Sequence, residues 1–232
     1  GSGPGVQRFL KFSKYFREQG WEPIILSVKN GSYPSMDYSL EKNIPEGMQV
    51  IKTKTFEPFQ LYNILRGNKG KSTGVGGVGI SNPSKMQYAF NWIRANGFIP
   101  DARKGWKPYA IKAATELIKV QKIDAIITTG PPHSAHFIGK HLKDKFNIPW
   151  VADLRDPWTT VYYNELFPRT KRTEKKDLQL ETDVLKSADA VTVVSEGLKS
   201  EFIARAKRIE VIYNGYDEED IPTMKRERNA VF

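Results

Sequence analysis

Residues 123–158 constrain the fold more than any other part of the chain. The β-branched run at 124–129 predicts a strand buried on both faces, and residues 150–154 predict a second buried strand. Between the two strands, four residues at helical spacing predict a helix over 133–145 with an apolar face of Ala135, Ile138, Gly139 and Leu142. A strand, a helix and a strand in this order imply parallel pairing with a right-handed crossover.

Polar side chains stand where these two strands end. His133 follows the first strand, with His136 one turn further on, and Arg155 and Asp156 follow the second. Open parallel sheets bind ligands at the carboxyl ends of their strands. The sequence therefore predicts a polar site at this edge of the sheet.

The rest of the chain alternates between the same two kinds of element. Residues 6–19 predict a helix that Gly20 ends, and residues 69–81 form a glycine-rich loop that we expect to be mobile. The remaining predictions are strands at 23–28, 48–53, 190–194 and 209–213, and helices at 83–96, 108–120, 171–186 and 196–205. This alternation predicts an α/β fold, a doubly wound and mostly parallel sheet.

Composition excludes several classes of protein. The 232 residues are 39% hydrophobic and 27% charged, and no apolar run approaches the roughly 20 residues of a membrane span. No apolar segment typical of a signal peptide follows the amino terminus. Because cysteine is absent, disulfide scaffolds and thiolate metal sites are excluded, and a cytoplasmic location is the expectation. The three histidines are too widely spaced to gather around a metal, so none is expected.

The net charge of +10 calls for an anionic partner or a solvated surface. The densest cationic patch is residues 169–176, RTKRTEKK, at the start of a predicted helix. This patch is either a solvated helix start or a surface that contacts lipid head groups or phosphates. No nucleic-acid module is recognisable and no aromatic residues interleave with the patch, so no nucleic-acid partner is expected.

Two glycine-containing motifs fail on spacing. Gly1, Gly3 and Gly5 do not make a G-x-G-x-x-G fingerprint, because Val6 occupies the position of its third glycine. The Gly-Lys-Ser at 70–72 lacks the first glycine of a P-loop, since Leu65 stands there. Dinucleotide binding and nucleotide hydrolysis are therefore disfavoured.

Four blocks of sequence stand out in their order and spacing over nearly the whole chain. They are GPGVQR at 3–8, TGPPHSAH at 129–136, ADLRDPW at 152–158, and the pair VVSE at 193–196 with YNGYD at 213–217. Together these blocks resemble glycosyltransferase family 4, the retaining nucleotide-sugar transferases of GT-B fold. A further segment at 98–106 is typical of a bacterial subset of that family.

The resemblance implies a Rossmann-like domain, the amino-terminal half of a GT-B fold. Residues 1–217 would be the acceptor-binding domain, with a first strand expected before Gly1, and residues 218–232 would begin the linker to a carboxy-terminal donor domain. In the family that second domain binds the nucleotide sugar through an E-x7-E motif, which does not follow Asp217 here. This part alone would then have little or no transferase activity.

The implied reaction transfers a sugar from a nucleotide-sugar donor to a glycan or lipid-linked acceptor in cell-surface polysaccharide synthesis. The resemblance implies no metal and no cofactor beyond the donor substrate. The alternative is a non-catalytic sugar-phosphate or polysaccharide binding module built on the same half of the fold.

Site residues follow position by position from the resemblance. His133 matches the catalytic position beside the reacting sugar, although a residue that merely starts a helix is the alternative. Gly3 and Gly5 would let backbone N–H groups approach a phosphate or the acceptor, and Arg8 could reach an anion directly.

The remaining candidates each have a structural alternative. Arg155 and Asp156 would hold acceptor hydroxyls or pair with each other, and Asp101 would be an acceptor ligand or a loop cap. Ser195 and Glu196 would contact the acceptor or cap a helix, and His136 would face the same loop or pack inside or at the surface.

One segment suggests a membrane contact. The predicted helix at 83–96 and Phe98-Ile99 carry aromatic residues next to Lys85, Arg94 and Arg103. They would either pack against the protein or dock on anionic lipid, which would place the protein peripherally on the inner face of the cytoplasmic membrane.

Overall fold

The structure, a computed structural model, describes residues 3–29, 31, 37–56 and 85–215. The predicted glycine-rich loop at 69–81 and the predicted linker at 218–232 lie outside the described residues. The elements in chain order are α1 (Pro4–Glu18), β1 (Ile25–Val28), β2 (Val50–Thr53), α2 (Lys85–Gly97), α3 (Lys107–Val120), β3 (Ile126–Gly130), α4 (His136–Phe146), β4 (Trp150–Leu154), α5 (Lys171–Ser187), β5 (Ala190–Val193), α6 (Glu196–Phe202) and β6 (Ile209–Val211).

All strand pairs of the described residues are parallel. Strands β3, β4, β5 and β6 form one sheet in that order, and β1 pairs with β2 in a second sheet. In the larger sheet a helix connects each strand to the next, the usual connection between parallel strands. Gly130 pairs with Leu154, and Leu154 with Val193, so three strand ends meet at one edge.

The fold class predicted from the sequence is confirmed: within the described ranges, six helices and parallel strands make an α/β protein consistent with a Rossmann-like half of a GT-B fold. The end of α1 follows its predicted signal, because Gly20 ends this helix in the left-handed conformation, at φ 80°. Asn147 ends α4 in the same conformation, at φ 53°.

Two details of the sequence prediction are wrong. The strand β3 is not buried on both faces, because Ile127 is 44% exposed. β3 stands at the edge of the four-stranded sheet, and the described residues leave the face that carries Ile127 partly uncovered. The second detail is the start of the following helix, where residues 133–135 form a 3-10 turn and the α-helix begins only at His136.

The main core lies around β4 and the helices that cover it. Trp150, Ala152 and Leu154 alternate into this core and have no exposed surface. Its other buried members are Trp158, Val184, Leu185, Ala188, Val191, Val193, Leu198, Phe202 and Ile209. Burying a large apolar side chain contributes about 1.5–3 kcal/mol, so this cluster holds α5 and α6 against β4 and its neighbouring strands.

A second cluster joins α3 to α4. Its buried residues are Ala110, Ala114, Ile138 and Leu142. Gly139 of α4 lies against the Trp150 ring, since a Cβ built on Gly139 would be 2.2 Å from Trp150 Nε1. The absence of a side chain at Gly139 therefore lets α4 approach the sheet closely enough to bring its first turn over the end of β3.

Candidate functional site

Asp153 is the centre of the polar edge. It is the fourth residue of β4 and is 1% exposed. Its carboxylate accepts hydrogen bonds from Arg8 Nη2 at 3.1 Å, from Thr129 Oγ1 at 2.8 Å and from Thr192 Oγ1 at 2.8 Å. A buried carboxylate needs this number of donors to offset its lost hydration.

Arg8 connects α1 to β4 and to the segment that follows β6. Its Nη1 donates to the carbonyl oxygen of Tyr213 at 3.2 Å and to Oδ1 of Asn214 at 3.0 Å, while Nη2 pairs with Asp153. Its guanidinium also lies 4.5 Å from the ring centre of Phe12. The anion that Arg8 binds in the structure is thus an internal one, and its predicted contact with a ligand stays a prediction.

Arg155 occupies the space between α1 and β3. Its Nε donates to Thr129 Oγ1 at 3.0 Å, and its Nη2 donates to the carbonyl oxygen of Pro131. A Cβ on Gly5 would lie 1.8 Å from Arg155 Nη1, so the guanidinium packs on the bare backbone of the first turn of α1. Among the described residues Arg155 makes no hydrogen bond with Asp156, which is exposed.

Both site histidines are buried beside Trp158. The His133 ring stacks on the indole at a centroid distance of 4.7 Å and an interplanar angle of 8°, and the His136 ring lies 6.2 Å from the same indole. His133 is 7% exposed and His136 is fully buried. Packing inside the protein, one of the alternatives for His136, is therefore what the structure has.

Two carboxylates of α5 hold the loop that carries Trp158. Asp177 accepts from Trp158 Nε1 at 2.8 Å and pairs with Arg169. Glu181 accepts from the N–H and the hydroxyl of Thr159 at 2.9 and 3.0 Å and pairs with Arg205. Because Asp177 and Glu181 lie one turn apart on the buried face of α5, they anchor consecutive residues of the loop.

The cationic patch at 169–176 therefore has two parts. Arg169 is used inside the protein, where it pairs with Asp177. The other four cations are exposed, which suits both a solvated helix start and a contact with phosphates or lipid head groups; they are Lys171, Arg172, Lys175 and Lys176.

Asp101 caps the turn that begins with His133. Its carboxylate accepts from the N–H and the hydroxyl of Ser134, each at 2.8 Å, and from the N–H of Arg103 at 2.8 Å. Burial raises the pKa of Asp101, although these hydrogen bonds oppose the shift. The capping alternative is what the structure has, and it ties the connection before α3 to the candidate catalytic residue.

The remaining candidates lie at helix starts. Ser195 caps α6 by accepting from the Leu198 N–H at 3.3 Å, and Glu196 is exposed in the first turn. Gly3 is the residue before α1, whose first turn has no side-chain cap and no acidic residue. Contacts of Ser195, Glu196 and Gly3 with an acceptor or phosphate stay predictions.

Both buried histidines are held neutral. Burial lowers the pKa of His133 to about 3, with the positive charge of Arg155 in the same direction and a hydrogen bond to the Pro157 carbonyl opposing. Burial, then His133 and Arg155, lower the pKa of His136 well below its ordinary value.

Sequence reasoning missed three residues that organise the site: Asp153, Thr129 and Trp158. The sequence does contain a signal for Asp153: it is the one carboxylate in the apolar strand 150–154, and a carboxylate buried there requires hydrogen-bond donors around it. Thr129 and Trp158 gave no comparable signal, since a threonine in a strand and a tryptophan in a loop are ordinary.

Metal binding and membrane spanning find no support in the part of the chain that the structure describes. No three His, Asp or Glu side chains there are grouped as metal ligands would be. No helix within residues 3–29, 37–56 or 85–215 is long and apolar enough to cross a bilayer.

A cavity of about 240 Å³ lies between α1 and the 3-10 turn at 39–43, lined by Gln7, Leu10, Lys11, Ser39, Leu40 and Asn43.

The fold and the polar edge together define an α/β protein with a candidate site at the carboxyl ends of parallel strands. Residues 80–220 match the family model described as Glycosyltransferase Family 4, and this match spans more than half of the chain. The chain belongs to that family, which indicates a glycosyltransferase type of function. No curated protein matches the chain.

The central ion pair gives a stability prediction. We expect Asp153→Asn to lower the free energy of unfolding by about 3–5 kcal/mol, because Arg8 would remain buried without its counter-charge. Urea denaturation measures the change. Asp144→Asn, which breaks the surface pair of Lys140 and Asp144, is the control and should cost less than about 1 kcal/mol. Equal losses in the two variants would contradict a central role for Asp153.

The buried histidines give a pH prediction. Between pH 6.5 and 5 an unfolded histidine takes up a proton while His133 and His136 stay neutral in the folded chain. The free energy of unfolding should therefore fall with falling pH, by up to about 1.4 kcal/mol per unit for each histidine. Urea denaturation across this range measures the slope. His136→Gln should reduce it and replacement of the exposed His141 by Ala should not, whereas an unchanged slope in both would refute the assignment.

Proposed function

We propose that this chain is the amino-terminal, acceptor-binding domain of a retaining glycosyltransferase. The enzyme transfers a sugar from a nucleotide-sugar donor, bound by a second, carboxy-terminal domain, to a glycan or lipid-linked acceptor in bacterial cell-surface polysaccharide synthesis. No metal or further cofactor takes part. The proposal rests on membership of the family and on the polar edge built around Asp153, Arg155 and His133.

The polar edge is the observation that carries the proposal. Departure of a nucleoside diphosphate places negative charge on the leaving phosphate, which fixed positive groups stabilise. Arg155 lies against Gly5 at the start of α1, where the helix presents its positive end without an acidic side chain in the first turn. This combination suits the diphosphate of a sugar donor that enters from the open side of the edge.

His133 is the proposed catalytic residue at this edge. Its turn directly follows β3, and its ring is fixed by the Trp158 stack and, through Ser134, by Asp101. A ring held this firmly keeps donor and acceptor in reacting geometry, to which even an error of 1 Å is costly. Asp156 and Glu196, both exposed, are the carboxylates available to acceptor hydroxyls.

The test of this function is activity in the full-length protein with a panel of nucleotide sugars and glycan or lipid-linked acceptors. Turnover with any donor supports the transferase. Tight binding of sugar phosphates or polysaccharide without turnover would instead support the non-catalytic binding module.

We expect His133→Ala in the full-length protein to lower kcat by about 100-fold or more, with folding intact by circular dichroism. The matched control is His141→Ala, because His141 lies on the exposed side of α4, the helix that follows the turn carrying His133. Unchanged turnover in a folded His133 variant would remove the proposed role of this histidine.

We further propose that α2 docks the protein peripherally on the cytoplasmic face of an anionic membrane. Tyr88 and Trp92, one helical turn apart, are 54% and 45% exposed, and the neighbouring Ile93 is 53% exposed. Three large apolar side chains in so small an area are suited to insertion at a lipid interface, and the net charge of +10 favours anionic head groups.

Docking predicts a lipid preference. Vesicles of phosphatidylcholine with phosphatidylglycerol should co-sediment the chain, whereas pure phosphatidylcholine should not. Combined replacement of Trp92 and Ile93 by Ser should abolish the co-sedimentation. Replacement of Trp21, which is 56% exposed on another part of the surface, by Ser is the control and should have no effect. Equal sedimentation with both lipids would exclude the idea.

A further inference from the structure

Two buried imidazole nitrogens below the polar edge lack a partner. His133 Nδ1 and His136 Nε2 make no hydrogen bond with any of the described residues. Both side chains are more than nine-tenths buried. A buried polar atom without a partner costs about 1–3 kcal/mol, and such atoms in native proteins are usually satisfied by protein, ligand or ordered water.

The two nitrogens face the same place. An atom in the position of a Cβ on Gly130 would lie 2.6 Å from His136 Nε2 and 2.8 Å from His133 Nδ1. Both nitrogens therefore converge on the bare side of Gly130, the last residue of β3. A side chain at Gly130 would collide with both rings, so glycine is what lets the two nitrogens lie close together at the end of β3.

The hydrogen bonds around His136 define where its proton is. Trp150 Nε1 can only donate, and it donates to Thr128 Oγ1 at 2.8 Å. The same hydroxyl lies 2.9 Å from His136 Nδ1 and makes no other hydrogen bond among the described residues. Its own proton is then given to Nδ1, which places the ring proton of neutral His136 on Nε2, as a donor.

His133 can complement this donor. A neutral imidazole carries its proton on one of its two nitrogens, and the tautomer with the proton on Nε2 leaves the unpartnered Nδ1 as an acceptor. In that tautomer the acceptor lies beside the same glycine as the Nε2–H of His136.

We propose that one water molecule bridges the two histidines beside Gly130, accepting from His136 Nε2 and donating to His133 Nδ1. Hydrogen bonds then run without a break from Trp150 through Thr128 and His136 to the water, and from the water to His133. His136 is a positioning residue, which holds the ring and the tautomer of His133 through this water. Its effect on sugar transfer rests on the proposed function of His133, whereas the hydrogen bonding does not.

Nitrogen NMR of the histidine rings in the chain tests the bridge directly. At pH 7 both rings should be neutral with the proton on Nε2, and the Nε2 proton of His136 should show a nuclear Overhauser effect to a long-lived water. A proton on Nδ1 of either ring, a cationic ring, or no contact with water would overturn the proposal.

Two substitutions of His136 separate a positioning role from simple packing. In His136→Gln the amide nitrogen reaches the position of Nε2 and keeps the donor, whereas in His136→Asn it reaches only the position of Nδ1. We expect the Gln variant to keep the His133 tautomer and the water contact, and the Asn variant to lose the water contact. Loss or retention in both variants alike would show that the donor at Nε2 is not what matters.

In the full-length enzyme the Asn variant should lower kcat at least about 10-fold with little change in KM, and the Gln variant should restore most of the loss. The ring spectra of the unsubstituted chain decide the bridge even where the Asn variant does not fold. If the spectra agree but His133→Ala leaves turnover unchanged, the bridge stands and the proposed catalytic role of His133 fails.

Discussion

The buried ion pair between Arg8 and Asp153 is the interaction on which the candidate site depends. Neither charge has more than a few per cent of its side chain exposed. Transfer of such charges from water costs several kcal/mol per ion, and this cost is recovered only when the remaining hydrogen-bonding capacity is also satisfied. Thr129 and Thr192 supply the further donors, so the strands on both sides of β4 are fixed relative to α1 by one carboxylate.

Two further buried carboxylates, close to Trp158, are also paired with arginines and hydrogen-bonded within the protein. Asp177 and Glu181 point inward from α5 and are paired with Arg169 and Arg205. Each also accepts from the loop after β4, so the indole of Trp158 cannot move independently of α5. The stacked histidines therefore rest on a surface whose position is determined by α5, far from them in sequence. The site is rigid because charged groups in its supports are mutually satisfied.

The sequence predicts those parts of the molecule that depend on short-range patterns. Hydrophobic spacing predicts the β3–α4–β4 unit, and the polar residues after β3 and β4 do meet at one edge. The organising contacts could not be predicted, because they join residues remote in sequence. Asp153 contacts Arg8 across 145 residues and Thr192 across 39 residues. No local pattern distinguishes a threonine that donates to a buried carboxylate from one that merely favours a strand. The exposure of Ile127 was missed for a similar reason, since the sequence does not show which face of β3 the rest of the chain leaves open.

Charge balance determines which arginine is suited to meet an anionic ligand. Arg8 is neutralised by Asp153 and has its remaining donors directed at Tyr213 and Asn214, so an anion that approached it would have to compete with a buried carboxylate. Arg155 forms no ion pair with the same carboxylate. Its Nε and Nη2 donate hydrogen bonds to the neutral oxygens of Thr129 and Pro131. Its Nη1 lies against Gly5 at the positive end of α1. A glycine at this position permits the guanidinium and the helix terminus to act on the same anion, which a side chain there would prevent. For the proposed transfer, Arg155 is therefore better suited than Arg8 to face a phosphate, whereas Arg8 balances the buried charge of Asp153.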